Sequence, residues 1–169
     1  GGRGQFGEVH IRMFPLPGGT KIEEYATKAR FPSMREHHYD PDNNFLWVDS
    51  IVGGSIPKEY IEPVNKGIRE AMSGGVLAGY EMVDIKATLY DGSYHDVDSS
   101  EMAFKIAGIG CMRETLRKAD MTLQEPIMKL EVEVREEYQG NVTGHLSSKR
   151  GVVSSSDTNL GMATIIAEV

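Results

Sequence analysis

The chain has 169 residues, of which 40% are hydrophobic and 25% are charged, as in a folded globular protein rather than a disordered segment. The formal net charge of −7 excludes nucleic-acid-binding proteins that rely on broad surfaces of lysine and arginine. A lone cysteine, Cys111, excludes an internal disulfide and suits a reducing compartment, and no apolar run approaches the roughly 20 residues of a membrane span.

The first half of the chain predicts strands and one helix. Residues 8–14 alternate apolar and polar side chains, which is typical of a half-buried strand, and residues 45–52 form an apolar run that predicts a buried strand. Between them, "KIEEYATKARF" predicts a weaker strand and "PSMREHHYDPDNN" predicts a loop. Residues 57–73 predict a helix, with Pro63 separating its first turn from the rest. Its apolar stripe comprises Ile61, Val64, Ile68 and Met72.

A strand, a polar turn and a long helix follow. The segment 79–94 alternates, with Val83, Ile85, Ala87 and Leu89 on one face. After the turn "DGSYHDVDSS", Asp98 is predicted to be the helix N-cap and Glu101 its reciprocal partner in a capping box. The helix is predicted to reach about Ala119, with small residues that would let it lie close to a sheet. Its predicted apolar stripe comprises Met102, Ile106, Ile109, Met112 and Leu116.

Pro126 marks a boundary, so we predict one domain over residues 1–121 and a second over residues 122–169. The second domain reads strand, helix, strand, strand, an order that leaves an apolar sheet face without a covering helix. We therefore expect this domain to be incomplete. The chain also opens inside a glycine-rich loop without an initiator methionine, and we expect it to be part of a longer protein.

Some polar segments invite chemical interpretations. The opening "GGRGQFG" precedes a strand and lacks the GK[ST] of a phosphate-binding loop, so we expect it to present Arg3, Gln5 and Phe6 to a partner. In "EHHYDPD", a loop could gather carboxylates and a histidine around a metal ion, although solvated loop residues are the expected interpretation. The residues concerned are His37, His38, Asp40 and Asp42.

In the polar turn, His95 could act as a general base oriented by Asp96 or Asp98. No nucleophile motif accompanies it, and adjacent residues rarely reach that geometry. We therefore predict no catalytic residue and no metal site, and keep a hydrolase using His95 or His38 as an alternative.

Several collinear segments resemble elongation factor G, the bacterial translocation GTPase, over its domain IV and the first part of domain V. They are "GGRGQFG", "IVGGSIPKEYIEPVNKGIREAMSGGVLAGY", "DGSYHDVDSSEMAFKIAG" and "LQEPIMKLEVEV". The resemblance implies an α+β fold. A βαβ unit with a left-handed crossover, akin to a fold of small-subunit ribosomal proteins, would be followed by a truncated ferredoxin-like βαββ unit.

The resemblance also implies a function. In this family the tip of domain IV enters the ribosomal decoding centre and contacts A-site tRNA paired with mRNA during translocation. The corresponding tip residues here are Gly4, Gln5 and Phe6 of the glycine-rich loop, with Tyr94, His95 and Asp96 of the second loop. A short polar turn between a strand and a capped helix would hold His95 stiffly, which suits hydrogen bonding in a shallow RNA minor groove.

The implied partners are the ribosome with its ribosomal RNA, the A-site tRNA and the mRNA, approached by a cytoplasmic monomer without membrane contact. GTP and Mg²⁺ would be bound by a G domain of the parent protein, with no cofactor and no enzymatic site in this chain. Glu8 stands where the family typically has histidine, and residues 28–44 form a longer segment than in the family. These differences make a specialised paralogue or a ribosomal protection factor the alternative.

Overall fold

The computed structural model describes residues 4–169, which divide into two compact units, the first ending at Thr122 and the second beginning at Leu123. The predicted boundary followed residue 121. The first unit contains β1 (Glu8–Pro15), α1 (Ile22–Tyr25), β2 (Glu36–Asp40), β3 (Phe45–Asp49), α2 (Lys58–Met72), β4 (Ile85–Ser93) and α3 (Glu101–Lys118). The second contains β5 (Lys129–Arg135), a 3₁₀ turn (Glu136–Tyr138), α4 (Gln139–Ser148), β6 (Val152–Asn159) and β7 (Met162–Glu168). Within the described residues, no helix is both long and apolar enough to cross a membrane.

The sheet of the first unit has the strand order β1-β4-β3-β2. Strands β3 and β4 are parallel and are joined through α2, which makes the predicted βαβ unit, while β1 and β2 are antiparallel to their neighbours. Helices α2 and α3 cover one face, because their apolar side chains form one core with alternate residues of β3 and β4. That core includes Phe45, Trp47, Ile68, Leu89, Phe104 and Met112.

The buried face of α3 differs from the predicted stripe. Met112 and Leu116 are buried as predicted, whereas Met102 and Ile106 are more than half exposed. The buried series instead runs through Phe104 and Gly108, because Phe104 stacks on Tyr60 of α2 with ring centroids 4.7 Å apart. The small residues of this face therefore bring α3 close to another helix.

The segment between β1 and β3 contains two elements that differ from prediction. "KIEEYATKARF" holds the short helix α1, because Ile22 and Ala26 are spaced to bury together at a helical interval over the second face of the sheet. "PSMREHHYDPDNN", predicted as a loop, contains β2, an edge strand that backbone pairing with β3 holds in place despite its polar side chains. Pro63 does not divide α2, which is continuous because its flanking residues Ile61 and Val64 are held in the core.

The second unit follows the predicted order of strand, helix, strand, strand. Its antiparallel sheet has the order β5-β7-β6, the arrangement of the first strands of a ferredoxin-like fold. One face packs against α4 through Leu146, Ile165 and Ala167. The β6–β7 hairpin turns at Leu160 and Gly161, both with positive φ, as a two-residue type I′ turn requires.

Candidate functional site

The candidate site consists of two loops at one end of the first sheet. Residues 4–7 lead into β1, and residues 94–100 leave β4 for α3. Because β1 and β4 are antiparallel neighbours with Glu8 paired to Ser93, the start of one strand lies beside the end of the other. Segments about ninety positions apart in the sequence therefore emerge side by side.

Hydrogen bonds join the two loops into one body. The Phe6 amide donates to the Asp98 carbonyl at 2.9 Å, and the Gly4 amide donates to Asp98 Oδ1 at 2.8 Å. Ser99 Oγ donates to the Phe6 carbonyl at 2.8 Å and accepts from the His95 amide at 2.9 Å. Each loop thus satisfies polar backbone groups of the other, which restricts the motion of both.

The imidazole of His95 is held from one side and open on the other. Its Nδ1 accepts from the amides of Val97 and Asp98, each at 3.2 Å. Amides can only donate, so the ring proton of the neutral imidazole lies on Nε2. The side chain is 56% exposed, and Nε2 has no hydrogen-bond partner among residues 4–169. A donor is therefore presented outward from a fixed ring.

The structure brings the remaining predicted tip residues to the same place. Gln5 and Asp96 are exposed, and Tyr94 is 45% exposed. Gln5 Oε1 accepts from Ser100 Oγ at 3.4 Å, and the Phe6 ring lies edge-on to His95 with centroids 6.4 Å apart. Arg3 lies outside the described residues.

The predicted capping box is wrong. Ser100 is the N-cap of α3, with its Oγ accepting from the Ala103 amide at 3.1 Å. Asp98 lies two residues too early to cap, because the helix begins at Glu101, and its carboxylate bonds Gly4 instead. Glu101 occupies the first helical position, where its charge favours the helix dipole but where it stands next to the N-cap rather than three residues after it. Sequence reasoning missed Ser99 and Ser100, although "DSS" contains several residues that can cap a helix.

A charged group lies directly behind the first loop. Ser93 Oγ donates to Glu8 Oε2 at 2.5 Å, and His10 Nε2 lies 3.0 Å from Glu8 Oε1. The hydrogen bond from Ser93, followed by that from His10, lowers the pKa of the Glu8 carboxyl below its usual value. Glu8, where the resemblance implies a histidine, is therefore tied to the base of both loops.

The alternative site in "EHHYDPD" has a different geometry. His37 and His38 lie on opposite faces of β2, paired with Val48 and Trp47, and the Asp40 carboxylate accepts from Arg69 at 2.6 Å. Across residues 4–169, no group of three or more His, Cys, Asp or Glu side chains is arranged to hold a metal ion.

Two family models match adjoining parts of the chain and describe the same family. Residues 33–120 match the family described as elongation factor G, domain IV, and residues 122–169 match elongation factor G C-terminus. The loop of His95 lies inside the first match, whereas the loop of Gly4 precedes it. A solved structure from Thermus thermophilus is 27% identical with a TM-score of 0.67, and the alignment covers 96% of this chain and 24% of that one. The chain thus spans about a quarter of the length of that protein. With domain IV matched over half of its residues and the C-terminal family over most of the rest, the chain belongs to the elongation factor G family.

Proposed function

We propose that this chain is the ribosome-binding part of a translational elongation factor. Its two joined loops are the tip that enters the decoding centre and contacts A-site tRNA paired with mRNA during GTP-dependent translocation. The observation that supports the proposal is that the loops of Gln5 and His95 are joined by hydrogen bonds and a ring contact and form one exposed surface. A G domain elsewhere in the parent protein supplies the energy by hydrolysing GTP.

The chemistry of this tip suits RNA in its paired form. A-form helices expose ribose 2′-hydroxyls and base edges in a wide, shallow minor groove, where a hydroxyl both donates and accepts hydrogen bonds. The outward Nε2–H of His95 offers a donor and the Gln5 amide offers donor and acceptor. Contacts of this kind need no cluster of cations, so they are compatible with a chain of net charge −7.

The proposed role is mechanical. The tip moves with the tRNA–mRNA duplex and prevents its return through steric contact and hydrogen bonds, with no covalent step. Such a role requires that the two loops be held rigidly. The paired ends of β1 and β4 and the capped start of α3 support the loops from behind.

Substitution of His95 in the full-length parent protein tests the proposal. We expect His95→Ala to slow tRNA–mRNA movement roughly five- to tenfold, the effect of losing one hydrogen bond of about 1 kcal/mol in the transition state. GTP hydrolysis should be nearly unchanged, and Gln5→Ala should behave similarly but more mildly. The measurement is a rapid-mixing assay that follows both movement and phosphate release.

His37→Ala provides the matched control, since it removes another exposed histidine at a distance from the tip. Equal rates of movement for His95→Ala, His37→Ala and the parent would overturn the proposal. A fall in GTP hydrolysis equal to the fall in movement would also contradict it, because the tip is not expected to affect the G domain.

A further inference from the structure

We propose that Asp98 is a positioning residue that sets Gln5 and His95 in a fixed relation to each other. Its consequence for translocation rests on the proposed function, whereas the geometry stands independently of it. The tip residues belong to two loops, so their relative position depends on whatever connects the loops. Asp98 contacts both.

Asp98 holds the first loop on both sides of Gln5. Its carboxylate accepts from the amide of Gly4 at 2.8 Å, and its main-chain carbonyl accepts from the amide of Phe6 at 2.9 Å. Gln5 is the residue between these two anchors. Its backbone is thus clamped by a single residue of the other loop.

The same residue also orients the imidazole. The Asp98 amide donates to His95 Nδ1 at 3.2 Å, so the main chain of Asp98 fixes the ring whose opposite nitrogen faces outward. Side chain, amide and carbonyl of one residue therefore act on Gly4, His95 and Phe6. A displacement of Asp98 would change the distance between the hydrogen-bonding groups of Gln5 and His95.

The residue types at Gly4 and Asp98 match this role. A Cβ at Gly4 would lie 2.9 Å from Asp98 Cγ, so glycine leaves room for the carboxylate to reach the amide. The Asp98 carboxylate forms no ion pair with a lysine or arginine among residues 4–169, and its Oδ2 lies 3.6 Å from His95 Nδ1. A hydrogen bond from an amide to a charged carboxylate is stronger than one between neutral groups.

Removal of the carboxylate should loosen the tip without unfolding it. Ser99 Oγ bridges the Phe6 carbonyl and the His95 amide independently of the Asp98 side chain. The α3 N-cap, Ser100, is likewise untouched by a change at Asp98. Among the hydrogen bonds that join the two loops, Asp98→Ala therefore removes the one to the Gly4 amide and leaves the others in place.

Amide hydrogen exchange in the full-length parent protein tests the geometry, read by mass spectrometry with residue-level fragmentation. Asp98→Ala should raise the exchange rate at Gly4 about tenfold, because a charge-assisted hydrogen bond is lost. Asp98→Asn keeps an acceptor oxygen but loses its charge, so its exchange rate at Gly4 should lie between those of the parent and Asp98→Ala. Glu101→Ala, which removes a neighbouring exposed carboxylate, should leave Gly4 unchanged. An unchanged Gly4 rate in Asp98→Ala would overturn the proposal.

Translocation rates test the consequence. Asp98→Ala should slow tRNA–mRNA movement as much as Gln5→Ala, and the double variant should be no slower than the slower single variant, because both act through the same contact. Asp98→Asn, which keeps a neutral acceptor, should slow movement less than Asp98→Ala. If Gln5→Ala and His95→Ala slow movement while Asp98→Ala does not, the positioning role is wrong and the proposed function stands. If none slows movement, the proposed function fails, and the exchange rate at Gly4 still decides the geometry.

Discussion

Cys111 is half-buried in α3, and its surroundings determine its reactivity. Burial raises the pKa of the thiol above its usual value, because the charged thiolate is poorly solvated there. A thiol with a raised pKa holds less thiolate at neutral pH, and the thiolate is the nucleophile. The half-buried thiol of Cys111 should therefore be a poor nucleophile at neutral pH.

We accordingly expect iodoacetamide to alkylate Cys111 more slowly at pH 7.5 than it alkylates a free cysteine. The rate should keep rising with pH beyond the point where the free thiol levels off, since the folded pKa lies higher. Mass spectrometry after timed quenching measures the modified fraction, and the same chain unfolded in urea provides the control. Equal rates for folded and unfolded chain at pH 7.5 would show that the thiol is not protected.

At the same scale, the resemblance predicted two tip loops, and sequence reasoning misassigned the residues that support them. Gln5 and His95 lie on loops that meet, while their role in contacting RNA stays a prediction. The role of Asp98 could not be found by local reasoning, because its partner Gly4 is 94 residues away in the chain. Three consecutive residues capable of capping, "DSS", also gave no basis for choosing the one adjacent to the first helical residue.

At the scale of elements, the approach of α2 to α3 depends on two glycines that face each other's helix. A Cβ at Gly67 would overlap the Lys105 carbonyl oxygen, and a Cβ at Gly108 would lie 2.6 Å from the Val64 carbonyl oxygen. Both obstructing atoms belong to helix backbone, which cannot rotate away as a side chain can. The contact therefore requires the absence of a side chain at these positions.

We expect Gly67→Ala to destabilise the chain by about 1–3 kcal/mol, because the helices must separate to admit the methyl group. Gly110→Ala is the matched control: it lies in α3 with none of the described atoms within 4 Å of the added Cβ, and alanine should stabilise the helix there by roughly 0.5–1 kcal/mol. Urea unfolding monitored by circular dichroism measures both. If both variants move the midpoint in the same direction, the close approach does not limit this packing.

Elements were predictable where their own residues carry a periodic pattern. β1 and α2 have apolar side chains at strand or helix spacing, β3 lies in an apolar run, and each lies where it was predicted. β2 has almost no apolar residues, and only its pairing with β3 makes it a strand, so its own sequence gave no indication of it. Pro63 gave a false signal of a helix break, because the packing of α2 outweighs a local preference of about 3 kcal/mol against proline inside a helix.

At the scale of the whole chain, charge sets a limit on how it can meet RNA. The chain has eighteen lysines and arginines against twenty-five aspartates and glutamates, so its nonspecific attraction to phosphates is weak. On the proposed function, binding should then depend on the shape presented by the ribosome rather than on RNA alone. The second unit also offers acidic surface that would not attract phosphates. Its sheet face away from α4 carries Glu131 and Glu133 on β5, paired with Ile166 and Thr164.

We therefore expect the isolated chain to bind a free RNA hairpin weakly, with an affinity that changes little between 50 and 200 mM salt. A protein that neutralises 6–10 phosphates loses about 10³–10⁵ in affinity over that range, whereas a tip that contacts ribose and base edges releases few counterions. Fluorescence anisotropy of a labelled hairpin measures the slope of log affinity against log salt. A variant with Glu131→Lys and Glu133→Lys provides the positive control, because it adds charge to an exposed sheet face and should steepen the slope. Tight binding by the unaltered chain with a steep slope would mean that phosphates dominate its contact with RNA, and the tip would then be no more than one part of a larger RNA-binding surface.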